Sequence, residues 1–183
     1  MLALVLAGCA GEVAATPAPE PVVVVVTATP QDPAADQTAT VLRVVDGDTI
    51  EVDIDGAVER LRYIGIDTPE TNERCAGAAT AVNEEVLGGG VVRLVPDEED
   101  RDIYGRLLRY VYVGETFVNL ELAERGVAVV MRIAPNTRHA DEFKEAVGAA
   151  EKAGVGCLWD AELLAAEAAA RAAATPTPEP TER

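Results

Sequence analysis

The sequence predicts an α+β domain: a five-stranded β-barrel of the OB type with about three helices, flanked by disordered tails. Three observations lead there. Five β-rich runs separated by turn residues fall between Val41 and Val113. A helix-forming stretch, residues 76–87, follows the third run, and further helical stretches follow the fifth. Both ends of the chain are rich in Pro, Ala and Thr. This order of strands and helices is the one an OB-type barrel with added helices requires.

Residues 41–45 and 49–54 are β-rich runs on either side of the tight turn Asp46-Gly47-Asp48. In the second, Ile50, Val52 and Ile54 alternate with Glu51, Asp53 and Asp55, the period of a half-exposed strand. Asp55-Gly56 signals a hairpin, and the third strand returns over residues 58–66 until Thr68-Pro69 stops it. Residues 76–87 form a helix ended by Gly88-Gly89-Gly90. Residues 91–95 are the fourth strand, 96–102 an acidic loop, and 107–113 the fifth strand, turning at Gly114-Glu115. Asn119 is placed to cap a helix over residues 120–125, with Gly126 just past its end. Residues 127–133 have the composition of one more short strand. The third helix, residues 139–153, sets Phe143, Ala146, Val147 and Ala150 on one face, and Trp159 is expected to pack back on the core.

The chain has 183 residues, enough for one domain plus tails, and the domain is expected over residues 39–160. Formal net charge is −17, and residues 39–160 carry 13 Lys+Arg against 24 Asp+Glu, about −11. A polyanion binder ordinarily shows a basic face, so local arginines and bound metal must override the global field if the partner is a polyanion. Three cysteines (Cys9, Cys75, Cys157) and the single His139 form no zinc-type cluster and exclude multi-histidine chemistry. His139 reads as a surface or capping residue.

Leu6-Ala7-Gly8-Cys9 resembles a bacterial lipobox, in which Cys9 becomes the lipidated N-terminus. The apolar run is too short to span a bilayer and lacks a basic leader, which a truncated start explains; the alternative is a loose apolar end with a chance cysteine. Residues 10–38 read as an extended tether, including the valine run 22–26. Residues 161–183 read as an alanine-rich helix (162–173) and a disordered Pro-containing tail from 175. The expectation is an exported protein, anchored by lipid to the outer face of the bacterial cytoplasmic membrane or periplasmic, monomeric and without a protein partner. Export would oxidise the remaining pair, Cys75 and Cys157, to a disulfide; two buried free thiols are the alternative.

The chemistry is concentrated in three pieces. Asp46-Gly47-Asp48 ends one strand-like run, and Arg62 through Asp67 and Glu70 occupies another. Asp102-Ile103-Tyr104-Gly105-Arg106 adds a second arginine. Carboxylates hold a hard cation and arginines grip phosphate, so the set implies a divalent metal beside a phosphoryl group. Asp46 either joins that site or supports its turn.

These pieces, together with residues 118–126, resemble the staphylococcal nuclease (thermonuclease) family over residues 41–159. The resemblance implies an OB barrel and a calcium-dependent phosphodiesterase that cuts DNA and RNA to 3′-phosphate ends. It implies Ca2+ on Asp48, Asp67 and the carbonyl of Thr68. It makes Glu70 the general base or water-orienting group, Arg62 and Arg106 the phosphate ligands, and Tyr104 a neighbour of the nucleotide, with packing in the loop as that residue's other role. Relatives often have a nucleotide-stacking tyrosine near Met131-Arg132-Ile133; here Arg132 takes the substrate-binding role. The competing readings are an inactive domain of this fold that binds nucleic acid or protein, and an acidic lipoprotein that binds calcium or a surface partner. The complete set Asp48, Arg62, Asp67, Glu70 and Arg106 favours the enzyme.

Overall fold

A computed structural model describes residues 35–174 of the chain. The expectations for Cys9, the tether up to residue 34 and the tail beyond residue 174 lie outside the described residues. The chain runs β1 (Gln37–Val44), β2 (Thr49–Ile54), β3 (Ala57–Tyr63), β4 (Ile66–Asp67), α1 (Ala76–Leu87), β5 (Val91–Val95) and β6 (Leu107–Val113). It continues through β7 (Thr116–Phe117), α2 (Val118–Glu124), β8 (Val129–Val130), α3 (Ala140–Ala153) and α4 (Ala161–Ala174).

The long strands lie in the order β3-β2-β1-β5-β6, and a parallel pairing of β3 with β6 closes them into the expected five-stranded barrel. The β1–β2 ladder shifts register between Val41 and Arg43, an irregularity that bends β1 around the barrel. Asp55 and Gly56 both adopt positive φ, at 52° and 87°, as the two-residue turn between β2 and β3 demands. The core is built from Ile50, Val52, Leu61, Leu94 and Val111 inside the barrel, with Leu122 of α2 and Phe143 of α3 sealing it. Trp159 packs against this core, as expected from the sequence.

Three local expectations are corrected. The strand expected over 58–66 divides at Gly65, which takes φ 85°. A β-carbon there would lie 2.2 Å from the Phe143 ring, so α3 passes against bare backbone and the chain leaves the barrel to pair as β4 with β8. The strand expected over 127–133 is reduced to the two residues of β8. Asn119 is not the cap of α2, which starts one residue earlier, at Val118. Its buried amide accepts from the Val111 N–H (2.9 Å) and donates to the Ile64 carbonyl (3.0 Å), satisfying backbone groups that the division of β3 from β4 leaves unpaired.

Candidate active site

The β1–β2 turn is where the site begins. Val45 and Asp46 donate their N–H groups to the Thr49 carbonyl, and Asp46 Oδ1 accepts the Asp48 N–H at 3.1 Å. Asp46 therefore supports the turn. Asp48 is turned inward and buried. Its Oδ2 accepts from the N–H (2.7 Å) and hydroxyl (2.9 Å) of Thr68, which ties the turn to the segment after β4. Gly47 permits that closeness: a β-carbon on it would fall 2.6 Å from Thr68 Oγ1.

On β3, Leu61 and Tyr63 face the core while Arg60 and Arg62 face a groove of about 620 Å³. Arg62 bridges two carboxylates, Asp48 through Nη1 and Asp67 through Nη2. Its side chain is only 12% exposed. Asp67 and Glu70 line the same groove from the next segment. Glu70 is exposed, and its loop is closed through backbone: its N–H reaches Glu73 Oε2 and its carbonyl accepts the Glu73 N–H. Among the described residues its own carboxylate has no partner.

The facing wall is the loop before β6. Asp102 Oδ1 accepts the N–H groups of Tyr104 and Arg106, both at 2.9 Å, and Oδ2 accepts from Arg106 Nε at 2.6 Å. Burial pushes the Asp102 carboxyl up, but the Arg106 guanidinium and these two N–H groups outweigh it and hold it below its ordinary value. Held by Nε, Arg106 keeps its two terminal nitrogens without a hydrogen bond among the described residues. Tyr104 is 78% exposed at the lip, its ring centroid 5.5 Å from the Arg106 guanidinium carbon.

The structure thus gathers Arg62, Asp67, Glu70, Tyr104 and Arg106 around one groove, with Asp48 and Thr68 beneath Arg62. It does not bring Arg132 there. Met131 and Ile133 line the groove, while Arg132 between them is exposed and outside it. His139 stands before α3 with Nδ1 2.8 Å from Glu142 Oε2, against Tyr110 and Phe117, and takes no part in the groove.

Asp48, Asp67 and the Thr68 carbonyl are hard oxygen donors carrying two negative charges, which suits a hard divalent cation. Among the described residues no group of three or more His, Cys, Asp or Glu side chains is placed to hold a metal ion, so the protein donors at this point are the two carboxylates and the carbonyl.

Sequence reasoning missed Arg109. It shares the inward face of β6 with Leu107 and Val111, is buried, and binds Asp100 Oδ1 (2.6 Å), the Asp100 carbonyl and Gln37 Oε1. The one signal in the sequence was that Arg109 shares strand parity with the apolar Leu107 and Val111. It also accounts for the acidic loop. Asp100 holds Arg109, Asp102 holds Arg106, and Asp97 takes the Tyr110 hydroxyl and Arg138.

A groove with three guanidiniums, an unpaired carboxylate and a buried aspartate on a closed five-stranded barrel defines a phosphate-handling protein of the OB type. Residues 60–161 match the family described as staphylococcal nuclease homologue. The thermonuclease of Staphylococcus hyicus is 38% identical over 125 residues, covering 65% of this chain and 74% of that protein. Endonuclease YncB of Bacillus subtilis (strain 168) is 40% identical over 110 residues, covering 56% and 52%. The SPbeta prophage-derived endonuclease YokF of the same organism is 43% identical over 111 residues, covering 56% and 38%. The chain belongs to the staphylococcal nuclease family.

Proposed function

We propose that this protein is a nuclease that hydrolyses phosphodiester bonds of DNA, RNA or both, uses Ca2+, and leaves 3′-phosphate ends. The observation that carries the reading is the convergence of Arg62, Asp67, Glu70 and Arg106 on one groove from β3, β4, the turn after β4 and the loop before β6. The names of the relatives support the reaction class. Asp48, Asp67 and the Thr68 carbonyl would hold the cation, which when bound neutralises phosphoryl oxygens and the charge that develops on them.

The chain's own groups supply the rest. The free terminal nitrogens of Arg106 form a fork that fits two non-bridging phosphate oxygens. Arg62 is within reach of the same phosphate once its carboxylates are otherwise neutralised. Glu70, exposed and unpaired, accepts a proton from an attacking water. The water oxygen bonds to phosphorus, the bond from phosphorus to the 5′-oxygen breaks, and that oxygen leaves with a proton from solvent. The two arginines share the charge of the crowded phosphoryl group, and losing one such donor ordinarily costs about 10²–10³ in rate. Lipidation at Cys9 and export belong to the same proposal and rest on the lipobox-like Leu6-Ala7-Gly8-Cys9.

The test is cleavage of end-labelled single-stranded DNA by the purified chain, with Ca2+ and with chelator. The expected result is Ca2+-dependent cutting to 3′-phosphate ends. A folded protein that cuts neither DNA nor RNA with any divalent cation overturns the reading.

A further inference from the structure

Arg60 is a cation on the groove wall that the chemistry above leaves unused. It stands two residues before Arg62 on β3, on the same face, and lines the same groove. Its partner across the β2–β3 ladder is Glu51, which should neutralise it. Glu51 is taken instead by Arg43, whose Nε reaches Oε2 at 2.7 Å and whose Nη2 reaches Oε1 at 2.5 Å. Both carboxylate oxygens are thereby engaged, and Arg60 makes no ion pair among the described residues.

The contrast with the other groove arginines is chemical. Arg62 is held by Asp48 and Asp67, and Arg106 by Asp102. Arg60 alone of the three is exposed and has no carboxylate to give up before it meets an anion. Glu51 acts on Arg60 only at longer range, and in a chain of net charge −17 an arginine without a close ion pair beside an arginine-lined groove is a local reversal of sign. Alternate residues of a strand are about 6.8 Å apart, so Arg60 reaches beyond the phosphate that Arg62 can touch, along the direction of β3.

We propose that Arg60 is a second phosphate site, which binds the phosphate next to the one being cleaved and makes the groove select a polynucleotide over an isolated phosphodiester. The proposal rests on the nuclease reading. Its ligand is the backbone phosphate of a single strand extended along β3, and it carries no base information.

The test compares the full chain with Arg60→Ala and Arg60→Lys on two substrates: a labelled single-stranded oligonucleotide and a thymidine 5′-phosphate nitrophenyl ester, which offers one phosphodiester only. Arg60→Ala is expected to lower kcat/KM on the oligonucleotide about tenfold, mostly through KM, and to leave the ester unchanged. Oligonucleotide binding should lose about 0.7 from the slope of log affinity against log salt, the contribution of one phosphate contact on a single strand. Arg60→Lys should restore the slope, and Lys152→Ala, on a helix outside the groove, should not alter it. Equal losses on both substrates, or no loss on either, overturn the proposal. If the wild-type chain cleaves nothing, the nuclease reading fails, and the salt slope of oligonucleotide binding still decides the role of Arg60.

Discussion

At Gly47 a β-carbon would lie 2.6 Å from Thr68 Oγ1 and 2.7 Å from Ala79 Cβ. This glycine serves no unusual φ; it lets the turn carrying Asp48 meet Thr68 and α1. Gly47→Ala should therefore destabilise the protein by about 1–3 kcal/mol through overpacking. It should also weaken the binding of Asp48 to Thr68, so the urea midpoint and the affinity for the proposed cation, measured calorimetrically, should fall together. At Asp102 the prediction concerns pH. The folded carboxyl lies below its ordinary value, since hydrogen bonds from Arg106 and the Tyr104 N–H outweigh its burial. Its contribution to stability is present above the unfolded value of about 3.9 and is lost as pH falls through the folded one. Asp102→Asn keeps an acceptor for the two N–H groups but not the ion pair. It should be less stable than wild type at pH 7, with the gap closing in acid; a gap that persists at pH 2 would refute this account.

At the scale of the element, the loop bearing Glu70 is held from one side by the disulfide between Cys75 and Cys157 and by Arg74. The Arg74 guanidinium donates to the Cys157 carbonyl at 2.7 Å and the Leu158 carbonyl at 3.2 Å. A sequence separation of 82 gives a nominal loop-closure stabilisation of about 4 kcal/mol. Reduction should lower Tm by several degrees, checked by calorimetry with and without reductant. The elements also show which features were legible in the chain. Alternation in β2, the Asp55-Gly56 turn and the glycines after α1 are local signals, and local signals located the strands and α1. Gly65 was illegible because its requirement comes from Phe143 on α3, 78 positions away. Asn119 has the chemistry of a cap and was read as one; only the split between β3 and β4 creates the backbone groups it satisfies. The site was legible as residue types because it lies at strand ends. The occupation of Arg62 by two aspartates, and of Glu51 by Arg43, depends on pairing across the barrel that no stretch of sequence displays.

For the whole molecule the net charge of −17 and the arginine-lined groove oppose each other. Long-range repulsion of a polyanion is screened within about a Debye length, whereas contact between arginine and phosphate is weakened by counterions. Raising salt should first speed association and then weaken binding. The expected kcat/KM on single-stranded DNA therefore passes through a maximum with ionic strength, where a basic nuclease would only decline; stopped-flow association at 10–300 mM salt measures it. A monotonic fall would place the acidic surface too far from the groove to be felt.

The disulfide has one more consequence, for survival under proteases. The exposed Gly88-Gly89 bend and the Gly114-Glu115 turn both fall between Cys75 and Cys157. A single cut at either leaves two pieces still joined through sulfur: a cut at Gly88-Gly89 puts Arg62 and Glu70 on one and Arg106 on the other, whereas a cut at Gly114-Glu115 leaves all three on the same piece. After the cut at Gly88-Gly89 the barrel can keep β3 beside β6 and the groove whole, and only a second lesion, by reductant or by another cut, releases half of the site.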